Sequence, residues 1–271
     1  MEGLTNSFTE ILPGLQLSGI VTIIGALALA SLRIGSFLIA SPLFGWRIIP
    51  LQVRIVVSFS ISFLLYDKID LPDIEALAGF KLIILIFIEL IIGVTGGLLL
   101  RIMFSAAELA GEKIAASTGL SFAGLIDPES GTQTPVISQI LSLFMIVTFL
   151  SLDGHLVVIA VMIESYNILP IGTTTLNLNI IKLGIDAGGL MFKFGALIML
   201  PLVVGITLLN VVIGIVTRSA PTLNLFAFGF PITMIFAFFL LYICTTTIAG
   251  NFSNLTNVSI DYINRLVEGL I

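Results

Sequence analysis

The sequence predicts an all-α integral membrane protein built of long helices and helical hairpins. Of its 271 residues, 58% are hydrophobic and only 10% are charged, whereas a soluble domain is about one-quarter charged. Its mean hydropathy is +1.19. Apolar runs recur along the chain at lengths near the roughly 20 residues needed to cross a bilayer core. The 25 glycines and 10 prolines fit membrane helices, which tolerate both better than soluble ones do.

Other classes are excluded by what is scarce. The net charge of −5 removes a basic, nucleic-acid-binding face as the main theme. A single Cys244 and a single His155 leave no internal disulfide framework or Cys-based metal site, and no cofactor is expected. Catalysis is not expected either, because no base is marked as the partner of any particular serine. Met1 to Glu10 carry no Lys or Arg, unlike a cleavable leader, so the first apolar run is expected to stay.

That first run, Leu15 to Phe44, holds Arg33, and the second, Ile48 to Tyr66, follows Arg47 and contains Arg54. The positive-inside rule places this basic loop in the cytoplasm and the acidic Asp67–Glu75 link outside. The third run, Lys81 to Leu100, contains Glu89. The fourth, Val136 to Ile163, contains Asp153-Gly154-His155, read as a turn or helix end. The fifth, Ile180 to Thr217, would be roughly 55 Å long as one helix. It is therefore a hairpin broken near Pro201 or Gly205, or a helix projecting beyond the lipid. The last run is Leu225 to Ile248, and the tail 251–271 is a polar segment able to form a short amphipathic helix. Residues 1–250 are expected to form one helical membrane domain.

Charges inside the apolar runs need partners or water, because a lone one costs about 2.5–3.5 kcal/mol on insertion scales. Arg33, Glu89, Asp153, His155, Asp186 and Lys193 fall under this rule. Pairing across helices or subunits is one reading. A proton pathway through Glu89, Asp153 and His155 is another, and would make the chain an ion-coupled small-solute transporter. Lys182, Asp186 and Lys193, at spacings of four and seven, share one helical face. Gly93-x-x-x-Gly97 and Gly184-x-x-x-Gly188 permit close helix approach.

The central stretch differs from everything around it. Arg101, Ser105, Glu108 and Glu112 recur at helical spacing as one polar stripe, while alanines and Gly119 keep the other faces narrow. Gly119 and Gly124 then bracket Leu120-Ser121-Phe122-Ala123, a short apolar loop ahead of the Asp127-Pro128 turn. Irregular backbone at membrane depth is tolerated only where protein or a watery cavity surrounds it. Spacing alone leaves both a plug and an ordinary connecting loop open.

Short motifs in a fixed order resemble a known family. They are Leu32-Arg33, Pro42-Leu43-Phe44-Gly45, Ile49-Pro50 and Arg54. Gly111, Gly119-Leu120-Ser121-Phe122, Asp127-Pro128, Pro135 and Phe149 follow. After them stand Asp153-Gly154-His155, Ser165, Leu169-Pro170-Ile171-Gly172, Asn210, Arg218-Ser219-Ala220-Pro221, Leu223-Asn224-Leu225-Phe226 and Gly229-Phe230-Pro231. Covering roughly Leu32 to Pro231, the set is similar to the FliR/SctT export-gate family of flagellar and type III secretion systems, nearer the flagellar branch. The resemblance implies a non-enzymatic subunit of a helical export-gate assembly in the bacterial inner membrane, at the flagellar basal body. FliP and FliQ would be its channel partners, FlhB and FlhA would lie nearby, and unfolded proteins would be the cargo. It also implies that the central segment, about 106–135, plugs the closed pore through Gly119, Leu120, Ser121, Phe122, Ala123 and Gly124. Arg101, Glu108, Glu112, Lys182, Asp186 and Lys193 are then expected to line the lumen or contact other subunits.

Overall fold

The computed structural model describes residues 17–45, 49–66, 79–119, 135–173, 179–219 and 228–269. Its helices are α1 (Leu17–Ala40), α2 (Leu51–Leu64), α3 (Phe80–Ser117), α4 (Val136–Ser151), α5 (Gly154–Ile168), α6 (Asn179–Ser219), α7 (Phe230–Ile243) and α8 (Thr245–Glu268). No strand occurs among the described residues. Among the described residues three helices are long and apolar enough to cross a membrane, or up to five spans if each bent helix pair counts as one. The protein is an all-α membrane protein.

The breaks follow local chemistry. Between α4 and α5 the axis bends by 67° at Leu152 and Asp153, and Asp153 takes a positive φ of 54°. This is the turn expected at Asp153-Gly154-His155. A second bend, of 62°, separates α7 from α8. The fifth apolar run is not a hairpin: α6 continues for 41 residues with Pro201 inside it. Proline lacks one N–H, and a membrane helix tolerates that loss where neighbours satisfy the freed carbonyl. At about 1.5 Å per residue, α6 is roughly twice the length of the hydrocarbon core. The polar tail belongs to α8, which begins at Thr245 and buries Phe252, Leu255, Ile263, Leu266 and Val267.

The chain forms two compact units, one from residues up to 100 with 159–181 and 263–271, the other from 101–158 and 182–262. In the first, α1 lies directly against α3. A Cβ added to Gly97 would meet the Ala40 Cβ at 2.6 Å, and one added to Gly93 would overlap Ser36 and the Arg33 carbonyl. Small residues here let two backbones touch, the usual basis of helix pairing in lipid. The second glycine pair behaves differently, because nothing lies within 4 Å of a Cβ on Gly184 or Gly188. Helix α2 is inside out by soluble standards: Ser58 and Ser62 are buried while Ile55, Val56, Phe63 and Leu64 are exposed. Both hydroxyls return their protons to carbonyls of their own helix, at 2.9 Å each.

The centre of this unit is charged. Arg33 is 0% exposed and Glu89 1%. The guanidinium meets the carboxylate side-on, Nε to Oε2 at 2.8 Å and Nη2 to Oε1 at 3.0 Å. Its Nη1 donates to the Ser165 hydroxyl and its Nη2 to the Leu169 carbonyl, both at 3.0 Å. The Tyr166 ring lies 4.2 Å from the guanidinium carbon, and its hydroxyl donates to the Ala30 carbonyl at 2.6 Å. One side chain of α1 thus ties together α3, α5 and the turn after α5. Four donor contacts leave little of the guanidinium's hydrogen-bonding capacity unused, which is what a buried charge requires.

Two predictions follow from this packing. Arg33→Ala strands the Glu89 carboxylate and is expected to destabilise the chain by about 3–5 kcal/mol, whereas the paired apolar change Arg33→Met with Glu89→Leu recovers most of that. Thermal unfolding in detergent micelles measures both, and equal losses for the single and double variants would contradict it. By the same assay Gly97→Val unfolds the chain at a clearly lower temperature. Gly188→Val, at an open site, shifts stability by no more than about 0.5 kcal/mol.

Candidate functional site

The first part of the central stretch is helical, α3 running to Ser117. Residues 106–117 continue α3 through Gly111, because no proline interrupts the run and it is rich in alanine, the strongest helix former. The helix ends at Thr118 and Gly119, and residues 120–134 lie outside those described.

This half of α3 has two faces. Arg101, Glu108, Glu112 and Lys113 are exposed, so the polar stripe drawn from spacing is an outward face. Met103, Ala106, Ala107, Ala110, Ile114 and Ala115 are fully buried. Against them pack α4 and α6. A Cβ on Gly111 would overlap the Ser138 backbone, and one on Gly195 would stand 3.0 Å from Leu109 Cδ2. Ser138 also donates its hydroxyl across helices to the Glu108 carbonyl at 3.1 Å. Phe104 and Phe149 meet edge to face with centroids 5.1 Å apart.

The last turn of α3 satisfies its carbonyls one by one. Ile114 O accepts the Thr118 N–H at 3.1 Å and Ala116 O accepts the Gly119 N–H at 3.2 Å. Ala115 O accepts the Thr118 hydroxyl at 2.8 Å. The final two are reached from other helices. Ser117 O accepts from Asn210 Nδ2 of α6 at 3.0 Å, and Thr118 O from the Thr233 hydroxyl of α7 at 3.2 Å. Gly119 then turns the chain with φ +81°, and its Cα is pressed against the Phe230 ring so closely that any Cβ would overlap it. A left-handed residue at this position is the common way for a helix to stop, and glycine adopts it without steric penalty.

Of the residues expected to plug a pore, Gly119 is at this helix end. Leu120, Ser121, Phe122, Ala123 and Gly124 lie outside the described residues. Lys182, Asp186 and Lys193 are exposed along α6. None of these three, nor Arg101, Glu108 or Glu112, joins a salt bridge among the described residues. The groups considered for a proton pathway divide: both Glu89 oxygens are held by Arg33, while Asp153 is exposed in the turn before α5. Three contributors were not legible as site residues from spacing, namely Asn210, Phe230 and Thr233. Asn210 had a usable signal, a lone amide in an apolar run. Thr233, one hydroxyl among phenylalanines, had none.

Known proteins match this chain over nearly its whole length. Residues 24–258 match the family described as bacterial export proteins, family 1. The flagellar biosynthetic protein FliR of Escherichia coli (strain K12) is 30% identical over 239 residues, covering 87% of this chain and 91% of its own. FliR of Pectobacterium carotovorum subsp. carotovorum is 34% identical, covering 74% and 77%. FliR of Bacillus subtilis (strain 168) is 28% identical, covering 93% and 98%. With a match that spans both compact units and relatives aligned almost end to end, the chain belongs to family 1 of the bacterial export proteins, the family of FliR.

Proposed function

We propose that this chain is a non-enzymatic subunit of the flagellar type III protein export gate, seated in the bacterial inner membrane. With FliP and FliQ it would form the channel through which unfolded flagellar proteins cross, with FlhB and FlhA nearby. The alignment with FliR proteins over most of both chains is the observation that carries this reading. The exposed surface supports it in physical terms. Helix α6 exposes Ile185, Phe192, Leu200, Leu208 and Ile215 and, on the same helix, Lys182, Asp186 and Lys193. Lipid accepts the first set and rejects the second. Protein neighbours bordering a watery channel accept both. The exposed Glu108 and Glu112 on α3 call for the same environment, since like charges four apart repel.

The closure of the channel is assigned to Gly119–Gly124, with Phe122 its bulkiest side chain. Deleting Leu120 to Ala123 is expected to leave the membrane complex assembled and make it leak small solutes. Uptake of a membrane-impermeant dye into cells carrying the assembled deletion reads this out, and a tight membrane would sink the assignment. Neutralising Asp186 as Asp186→Asn is expected to lower the yield of assembled complex. A normal yield with an altered pH dependence of export would instead favour a proton-carrying role.

A further inference from the structure

A cavity of roughly 230 Å³ lies between α4, α7 and α8, within the second compact unit. Residues on both sides of the 62° bend between α7 and α8 line it. Its inner wall is closed: Leu141 and Phe252 are each 1% exposed and Ile248 is 5% exposed. Its outer wall is open, because Phe144, Phe238 and Tyr242 are all exposed. Water is a poor occupant. The two lining hydroxyls donate to their own helices, Thr148 to the Phe144 carbonyl and Thr245 to the Leu241 carbonyl, both at 2.8 Å. A buried water needs two to four polar partners, and an apolar cavity of about 150 Å³ already stays dry and admits benzene. Left empty, the lining forgoes dispersion contacts on one side. Hydrocarbon fits both conditions.

The surface around the mouth narrows the source of that hydrocarbon. Helices α4 and α7 contain no charged residue, and they expose Val147, Ile235, Phe239 and Ile243. Lipid accepts such a face, unlike the charged faces of α3 and α6. We infer that the cavity is a lipid site: one acyl chain of a membrane phospholipid enters past Phe144, Phe238 and Tyr242. It packs against Leu141, Ile248 and Phe252 and fills the angle between α7 and α8.

The test uses the full chain in its native membrane complex, reconstituted into vesicles of phosphatidylethanolamine and phosphatidylglycerol. A trace of phospholipid carrying a diazirine near the end of one acyl chain is included. After irradiation, labelled residues are mapped by mass spectrometry. The expected result is label on at least one of Leu141, Ile248 and Phe252, which lipid at the outer surface does not reach. Ala249→Leu fills the cavity from its exposed wall. It is expected to lower that label severalfold and to leave label on Val147 and Phe239 unchanged. Thr148→Leu, from the facing helix, does the same and serves if the first variant fails to assemble. Label confined to exposed side chains overturns the site, and so does a buried label that neither variant reduces. Absence of label from all of α4 and α7 means that a protein partner covers this face, and it overturns the lipid assignment. Should neither variant assemble, the unaltered complex decides by whether its buried residues are labelled.

Discussion

The first compact unit depends on one buried ion pair. Arg33 and Glu89 sit in separate apolar helices, and neither helix is comfortable in lipid until they meet. Placed together, they replace two unfavourable solvation terms with a side-on pair and hydrogen bonds to Ser165 and the Leu169 carbonyl. The geometry needs arginine. A lysine is a point charge and could not span the carboxylate, the hydroxyl and the carbonyl from one planar group. Such a pair adds less to stability than its contacts imply, because burial itself is unfavourable. Its contribution is register: only one alignment of α1, α3 and α5 brings all its partners within reach.

Around that pair the protein is arranged for a surrounding that is not water. Helix α2 hides serines and shows isoleucine and phenylalanine, and the contact of α1 with α3 is made by glycine and alanine. Backbones approach where side chains are small, and large apolar side chains point outward. This is the packing logic of helices in a membrane, where burying apolar surface between helices brings little gain over leaving it in lipid. The charged residues that remain outward, on α3 and α6, mark where lipid cannot be the neighbour. They are the physical reason for reading the chain as part of a larger assembly.

The fold class was legible from composition and run length, and the turn at Asp153 from its Asp-Gly-His sequence. The stripe of Arg101, Glu108 and Glu112 was legible because helical periodicity needs no tertiary information. Other features were not. Whether α6 was a hairpin or one helix hung on Pro201, and a proline in a membrane helix breaks it or passes through according to its neighbours. Gly93-x-x-x-Gly97 and Gly184-x-x-x-Gly188 have the same spelling, but only the first pair has a helix against it. The partner of Arg33 could have been guessed from charge complementarity with Glu89, whereas the parts played by Ser165 and Tyr166 exist only once α5 is in place. The hydrogen bonds that cap the end of α3 join residues 93 and 115 positions apart, a separation that local patterns do not encode.

The central claim is that this chain acts as one part of a channel made with other proteins. The mass of the intact complex, extracted gently from the native membrane and weighed with its subunits identified, tests that most directly. The account predicts a particle far heavier than the 29.0 kDa chain, containing this chain together with two other small membrane proteins. A particle holding this chain alone, as a monomer or as copies of itself, would contradict it.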